Sequence, residues 1–154
     1  MDDTSIEREY YKNGQIKIEK WYKQDKLSDF KKLNREDGPA YVEYYPNGQI
    51  KEERWCQGNK LNREGAPAWI EYYENGQIKT EKWYKSDSWY IIDKLHREDG
   101  PSWIEYDENG QIKYEGYHLN GERVEKGDLL CFKEQVDKLK KMVDQKNQKK
   151  KIGL

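Results

Sequence analysis

The sequence predicts a mainly β fold, about four hairpin repeats in series followed by a C-terminal amphipathic α-helix. Three observations carry this expectation. The string Asn-Gly-Gln-Ile-Lys recurs at Asn13, Asn47, Asn75 and Asn109, at spacings of 34, 28 and 34 residues. A segment that returns at such a period is one supersecondary unit, unable to bury its apolar surface until neighbours stack on it. Thirteen Tyr and six Trp against two Phe suit a thin sheet, because these rings tolerate positions with one end apolar and one end wet. Finally, Leu129, Phe132, Val136, Leu139 and Val143 follow at intervals of 3, 4, 3 and 4, a single helical stripe.

The first unit opens directly at Ile6–Tyr11, without the Gly-Pro breaker of later units, as a terminal repeat does. The second unit shows the plan. After Gly38-Pro39, the β-forming run Ala40–Tyr45 is broken by Pro46-Asn47-Gly48 and resumes as Gln49–Cys56. Two such runs around a Gly-containing break read as a hairpin. Pro46 favours a type I turn with Gly48 left-handed in a bulge over a two-residue type I′ turn at Asn47-Gly48. In the three-residue register Glu43 faces Lys51, and equally Glu9 faces Lys17, Glu71 faces Lys79 and Glu105 faces Lys113. Opposed charges across strands contribute roughly 0.2–1 kcal/mol each. Period-two alternation then puts Val42, Tyr44 and Ile50 on one face with Ile70, Tyr72, Ile78, Ile104, Tyr106 and Ile112. The other face is expected to collect the tryptophans: Tyr41 and Trp55, Trp69 and Trp83, Trp103, and Trp21 at the front.

Connectors read KLNRED (32–37), KLNREG (60–65) and KLHRED (94–99). Arg35, Arg63 and Arg97 are expected to hold each return loop by hydrogen bonds to carbonyls or carboxylates; a ligand-binding arginine ladder is the alternative. From strand Trp to connector Leu the chain takes 12 residues in units one and three but 6 in unit two. The third unit's insertion holds Trp89-Tyr90-Ile91-Ile92, readable as local packing or as an exposed contact knob. Past Tyr117 a weaker turn and strand precede the helix, which Asp128 is placed to cap. The organisation is therefore 1–124 β-repeats, 125–147 amphipathic helix docked on the repeats or on a partner, and 148–154 basic tail.

The quoted repeat, Gly-Pro-Ala-x-Ile-Glu-Tyr-Tyr-x-Asn-Gly-Gln-Ile-Lys-x-Glu-x-Trp-Tyr with its Lys-Leu-His-Arg-Glu-Asp-Gly connector, resembles the variant MORN repeats. These abound in large DNA viruses of amoebae and occur in bacterial proteins. The resemblance spans about Ile6 to Tyr117 and implies a single-layer antiparallel β-meander. It further implies a scaffold or interaction role, sometimes at membranes, without catalytic residues; the viral abundance suggests a virus-particle component.

No catalytic constellation accompanies the repeats, so no enzyme, cofactor or metal is expected. His96 stands where units one and two have Asn34 and Asn62, and no His-Cys cluster has metal-ligand spacing. The glycines are turn glycines rather than a phosphate loop. The expected function is a non-catalytic scaffold or protein–protein interaction module. Candidate contact residues are Tyr41, Trp55, Trp69, Trp83, Trp89, Tyr90 and Trp103, and the candidate partners are proteins, capsid or other structural proteins among them, or a second copy. The alternative is nucleic acid or anionic membrane. Residues 125–154 carry a net charge of +4 against −5 for residues 1–124, and Lys146, Lys149, Lys150 and Lys151 are its candidate anion contacts. The acidic start MDDTSIEREY is no secretory signal and no apolar run nears ~18 residues, so an intracellular location is expected.

Overall fold

The computed structural model describes residues 4–24, 30–85 and 93–152, with residues 149–152 described by backbone alone. Four hairpins form one antiparallel sheet: β1 (Thr4–Tyr10) with β2 (Ile16–Gln24), β4 (Tyr41–Tyr44) with β5 (Ile50–Arg54), β8 (Trp69–Tyr72) with β9 (Ile78–Lys82), and β12 (Trp103–Tyr106) with β13 (Ile112–Gly116). The hairpins join in chain order, and a short β3 (Lys31–Leu33) also pairs with β2. Three two-stranded ribbons stand off the sheet: β6 (Cys56–Gln57) with β7 (Lys60–Leu61), β10 (Tyr84–Lys85) with β11 (Lys94–Leu95), and β14 (His118–Leu119) with β15 (Glu122–Arg123). One helix, α1 (Lys126–Ile152), ends the chain; residues 148–152, expected as a tail, are helical.

The turns are as expected. Gly48 N–H donates to the Tyr45 carbonyl at 2.9 Å and Tyr45 pairs with Gln49, so the loop holds three residues. Gly48 has φ +86° while Asn47 stays outside the left-handed region, and Gly14, Gly76 and Gly110 repeat this. Type I′ geometry appears instead in the small ribbons, where Gly58-Asn59 (φ +63° and +69°) and Asn120-Gly121 (φ +53° and +88°) are both left-handed.

The register beyond the turn differs from the expectation. Tyr44 pairs with Ile50 but Glu43 pairs with Glu52, so Lys51 is the extra residue of a second bulge. The same shift falls at Lys17, Lys79 and Lys113. Among the described residues, Lys51–Glu43 is the one expected ion pair that closes, at 2.7 Å, reached diagonally from the bulge; Glu9 pairs with Lys20 instead, at 2.9 Å.

Each bulge inverts the faces of the strand that follows it. Glu53 therefore lies beside Val42 and Ile70, in a cross-strand row that runs Arg8, Glu19, Val42, Glu53, Ile70, Glu81, Ile104, Glu115. Two residues on, Trp21, Trp55 and Trp83 share that face. The single tryptophan face expected from unbroken alternation is thus split, with Tyr41, Trp69 and Trp103 on the opposite side. The core is a thin file under the connectors: Ala40, Val42, Ala68, Ile70, Ser102 and Ile104 are all buried.

Candidate interaction surfaces

On the Val42–Ile104 face, each strand tryptophan lies under the arginine of the following connector. The guanidinium carbon sits 4.4 Å from the ring centroid for Arg35 over Trp21, 3.7 Å for Arg63 over Trp55 and 4.2 Å for Arg97 over Trp83. In the first and third connectors the glycine before the Pro leaves room for this: a Cβ on Gly38 would come within 2.7 Å of the Arg35 guanidinium carbon and one on Gly100 within 3.2 Å of that of Arg97. The arginines also hold their own loops. Arg35 Nε donates to Asp37 at 2.9 Å, Arg97 Nε to Asp99 at 2.7 Å, and Arg63 and Arg97 Nη1 to the carbonyls of Pro67 and Pro101 at 3.4 and 3.3 Å. The guanidiniums hold both aspartate carboxyls below the usual carboxylate range.

The opposite face carries a second ladder. One cross-strand row reads Lys20, Tyr41, Arg54, Trp69, Lys82, Trp103, alternating cation and ring across six strands. Arg54 lies 4.7 Å from Tyr41 and 5.6 Å from Trp69; Lys82 lies 3.8 Å from Trp69 and 4.7 Å from Trp103. Desolvation between the two rings lowers the Lys82 pKa, opposed by the nearby Glu71, Glu105 and Glu52. Position 116 would hold the next cation, but Gly116 leaves room for Tyr114, which meets Trp103 edge-on at 5.1 Å. The indole Nε1 atoms of Trp55, Trp69 and Trp103 are buried without a hydrogen-bond partner, so stacking rather than hydrogen bonding holds these rings. Five of the expected contact residues, Tyr41, Trp55, Trp69, Trp83 and Trp103, thus carry a cation of their own chain; Trp89 and Tyr90 lie outside the described residues.

Tyrosine hydroxyls stitch neighbouring repeats, a role the sequence reading missed. Tyr11, Tyr45 and Tyr73 donate to the carbonyls of Tyr44, Tyr72 and Tyr106 at 2.7–2.8 Å. Tyr44, Tyr72 and Tyr106 donate to Glu19, Glu53 and Glu81 at 2.9, 3.3 and 2.9 Å. Burial, with the carboxylate, pushes these three phenols up to about 12. The doubled Tyr-Tyr of the first three repeats was the available signal. In the last repeat Asp107 replaces the stitching tyrosine, and its carboxylate accepts from Asn109 and Gln111 N–H within its own turn.

These hairpins match the MORN repeat variant over residues 4–24, 40–54, 68–86 and 102–125, about half the chain. The chain belongs to this family. Neither the curated proteins nor the solved structures gave a match. The MORN repeat is a non-catalytic repeat type, generally associated with scaffold roles in protein or membrane binding. Among the described residues no helix is long and apolar enough to cross a membrane, and no group of three or more His, Cys, Asp or Glu is placed to hold a metal.

The match ends where α1 begins. Leu129 is 3% exposed, in a pocket of about 220 Å³ formed with Pro101, Glu115 and Tyr117, and Lys126 reaches Glu115 at 3.7 Å. Beyond this first turn the stripe opens: Phe132 is 40% exposed, Leu139 60%, Met142 65% and Val143 56%. Lys146 is exposed on the same helix, which continues through Lys149, Lys150 and Lys151.

Proposed function

We propose that this MORN-repeat chain is a non-catalytic scaffold for protein–protein contact, with the repeat sheet as platform and α1 as its main docking element. The observation that carries the reading is the exposed stripe Phe132, Leu139, Met142 and Val143 on a helix seated mainly by its first turn, through Leu129 and Lys126. Contiguous exposed apolar surface of this kind marks a contact site. The sheet supports the role differently: a partner reaching Tyr41, Trp69, Trp103, Trp55 or Trp83 meets ring and cation together, which favours an acidic or aromatic surface. Trp89 and Tyr90 in the third unit's insertion remain part of the proposed contact set. A structural component of a virus particle, docked on capsid or other structural proteins, is the narrower form of this reading and rests on the repeat type. An intracellular location fits it.

The test compares the full chain with the double variant Leu139→Asp/Val143→Asp, whose sites are exposed and leave the sheet intact. Light scattering reads self-association, and affinity capture reads partners. Loss of either association in the variant supports the reading. Identical mass and identical partners in both proteins overturn it. The alternative, anion binding through Lys146 and Lys149–Lys151, is favoured by the seven lysines between Asp137 and Lys151. It requires binding to duplex DNA or phosphatidylserine vesicles that falls steeply with salt and vanishes when residues 146–154 are removed.

A further inference from the structure

Apart from His96 in place of Asn34 and Asn62, the three connectors differ only at the two residues before the Pro. Asp37-Gly38-Pro39 and Asp99-Gly100-Pro101 correspond to Gly65-Ala66-Pro67. Arg35 and Arg97 each give Nε to the aspartate two residues on, and Gly65 has no side chain to offer Arg63. The second difference follows the first. In the sister loops the guanidinium lies against a glycine, 2.7 Å from the Cβ that Gly38 lacks and 3.2 Å from the one Gly100 lacks. Ala66 carries that Cβ, and Arg63 sits closer to its tryptophan, at 3.7 Å, than Arg35 or Arg97 does to theirs. Arg63 keeps the carbonyl of Pro67 for Nη1, as Arg97 keeps Pro101. Its guanidinium is therefore fixed by a ring and a carbonyl, with Nε lacking the carboxylate that both equivalents hold.

That group borders a groove of about 690 Å³ between the second and third connectors, lined also by Gly65, Trp83, Tyr84, His96 and Arg97. We propose that Arg63 and this groove form a recognition site for a carboxylate side chain, Asp or Glu, of an acidic peptide segment of a partner protein. The sister loops show the chemistry that fits: in both, a carboxylate accepts from Nε at 2.7–2.9 Å. Charge selects within anions. Arg63, Lys85 and Arg97 are balanced in the lining by Glu64, Glu98 and Asp99. With no net charge in the lining, its three carboxylates oppose a dianionic phosphate more strongly than a single carboxylate, which needs only the open Arg63 Nε. Trp83 and Tyr84 supply apolar wall for the residues flanking the acid. This site deepens the scaffold reading but does not depend on α1, and its readout below is separate from association through the helix.

The experiment uses the full chain and the arginine Nε–Hε resonances, with the Arg63 signal assigned by its loss in Arg63→Gln. The probes are N-acetyl-aspartate amide, its neutral isostere N-acetyl-asparagine amide, and inorganic phosphate. The expected result is a saturable shift of the Arg63 signal with the aspartate probe, at least about tenfold weaker with asparagine because the charge-assisted bond is lost, and smaller with phosphate. Arg35 and Arg97 should hardly move. The double variant Gly65→Asp/Ala66→Gly, which makes residues 63–67 identical to 35–39 and 97–101, should bring the free Arg63 signal to the position of its sisters and abolish the titration. Equal shifts at all three arginines, a stronger response to phosphate, or an unchanged titration in the double variant would each overturn the proposal.

Discussion

At the residue scale, the tyrosine hydroxyls tie chemistry to stability. Tyr44, Tyr72 and Tyr106 hold their protons to about 12 in the fold, against an ordinary phenol near 10. Below the ordinary value both states are protonated and these groups leave stability independent of pH. Between it and the folded value the unfolded chain loses protons that the folded chain keeps, so stability falls as pH rises. Urea midpoints should therefore be level up to about pH 9.5 and decline toward pH 12, and the triple Tyr→Phe variant at these positions should show a shallower decline. A midpoint that stays flat to pH 12 would show that these half-buried Tyr–Glu bonds do not hold the phenolic protons. The two thiols differ for a similar reason. Cys56 is buried, with its thiol pushed up to about 11 by desolvation, while Cys131 is exposed on α1. A thiolate-directed reagent should modify Cys131 quickly and Cys56 only under unfolding conditions; equal rates in the native protein would contradict this burial.

At the element scale, the hairpin is set by its turn and its bulge. Gly48 and Gly76 sit at φ +86° and +84°, where an L side chain costs about 1–2 kcal/mol. Gly48→Ala and Gly76→Ala should each destabilise by that amount and add in the double variant, being in separate hairpins; a neutral effect of either would mean the turn relaxes to another type. The stitching tyrosines act between hairpins. Tyr45→Phe removes a donor from the Tyr72 carbonyl at 2.8 Å, and a loss of about 1 kcal/mol is expected in thermal or urea unfolding. The bulge is what sequence reasoning could not see. Alternation through Lys51 keeps Trp55 with Tyr41, and nothing local in Ile50–Arg54 announces an extra residue. The bulge is selected by remote partners: it delivers Glu53 to the Tyr72 hydroxyl and Trp55 to Arg63, both in later segments.

At the scale of the whole molecule, the stack has one finished end and one open end. At the C-terminal end Asp107 bonds within its own turn, Tyr114 fills the place of a cation beside Trp103, and Tyr117 and Lys126 occupy Glu115. At the other end β1 leaves Ile6 and Tyr10 about half exposed on the sheet edge. In a one-dimensional stack, protection reflects neighbours on both sides. Amide hydrogen exchange should be slowest in β5, β8 and β9 and fastest along the outer edge of β1 and in α1 beyond Leu130. Uniform protection of α1 through Val143 would show the stripe covered, in cis or by a second copy.

The repeat, the bulged turn at each Asn-Gly-Gln-Ile-Lys, a turn and strand after Tyr117 and the helical stripe were readable from residue order, because each is encoded over a few neighbours by backbone preference and spacing. The recurring Arg35, Arg63 and Arg97 were readable as loop holders, though not the rings beneath them. Face assignment was not readable, since one bulge inverts every side chain after it in its strand and its benefit lies in contacts with other segments, from Trp55–Arg63 to Tyr44–Glu19. The difference between Arg63 and its two counterparts is written in the letters Gly65 and Ala66, but it becomes chemistry only when the fold lays each guanidinium on its tryptophan and shows which loop leaves Nε without a carboxylate.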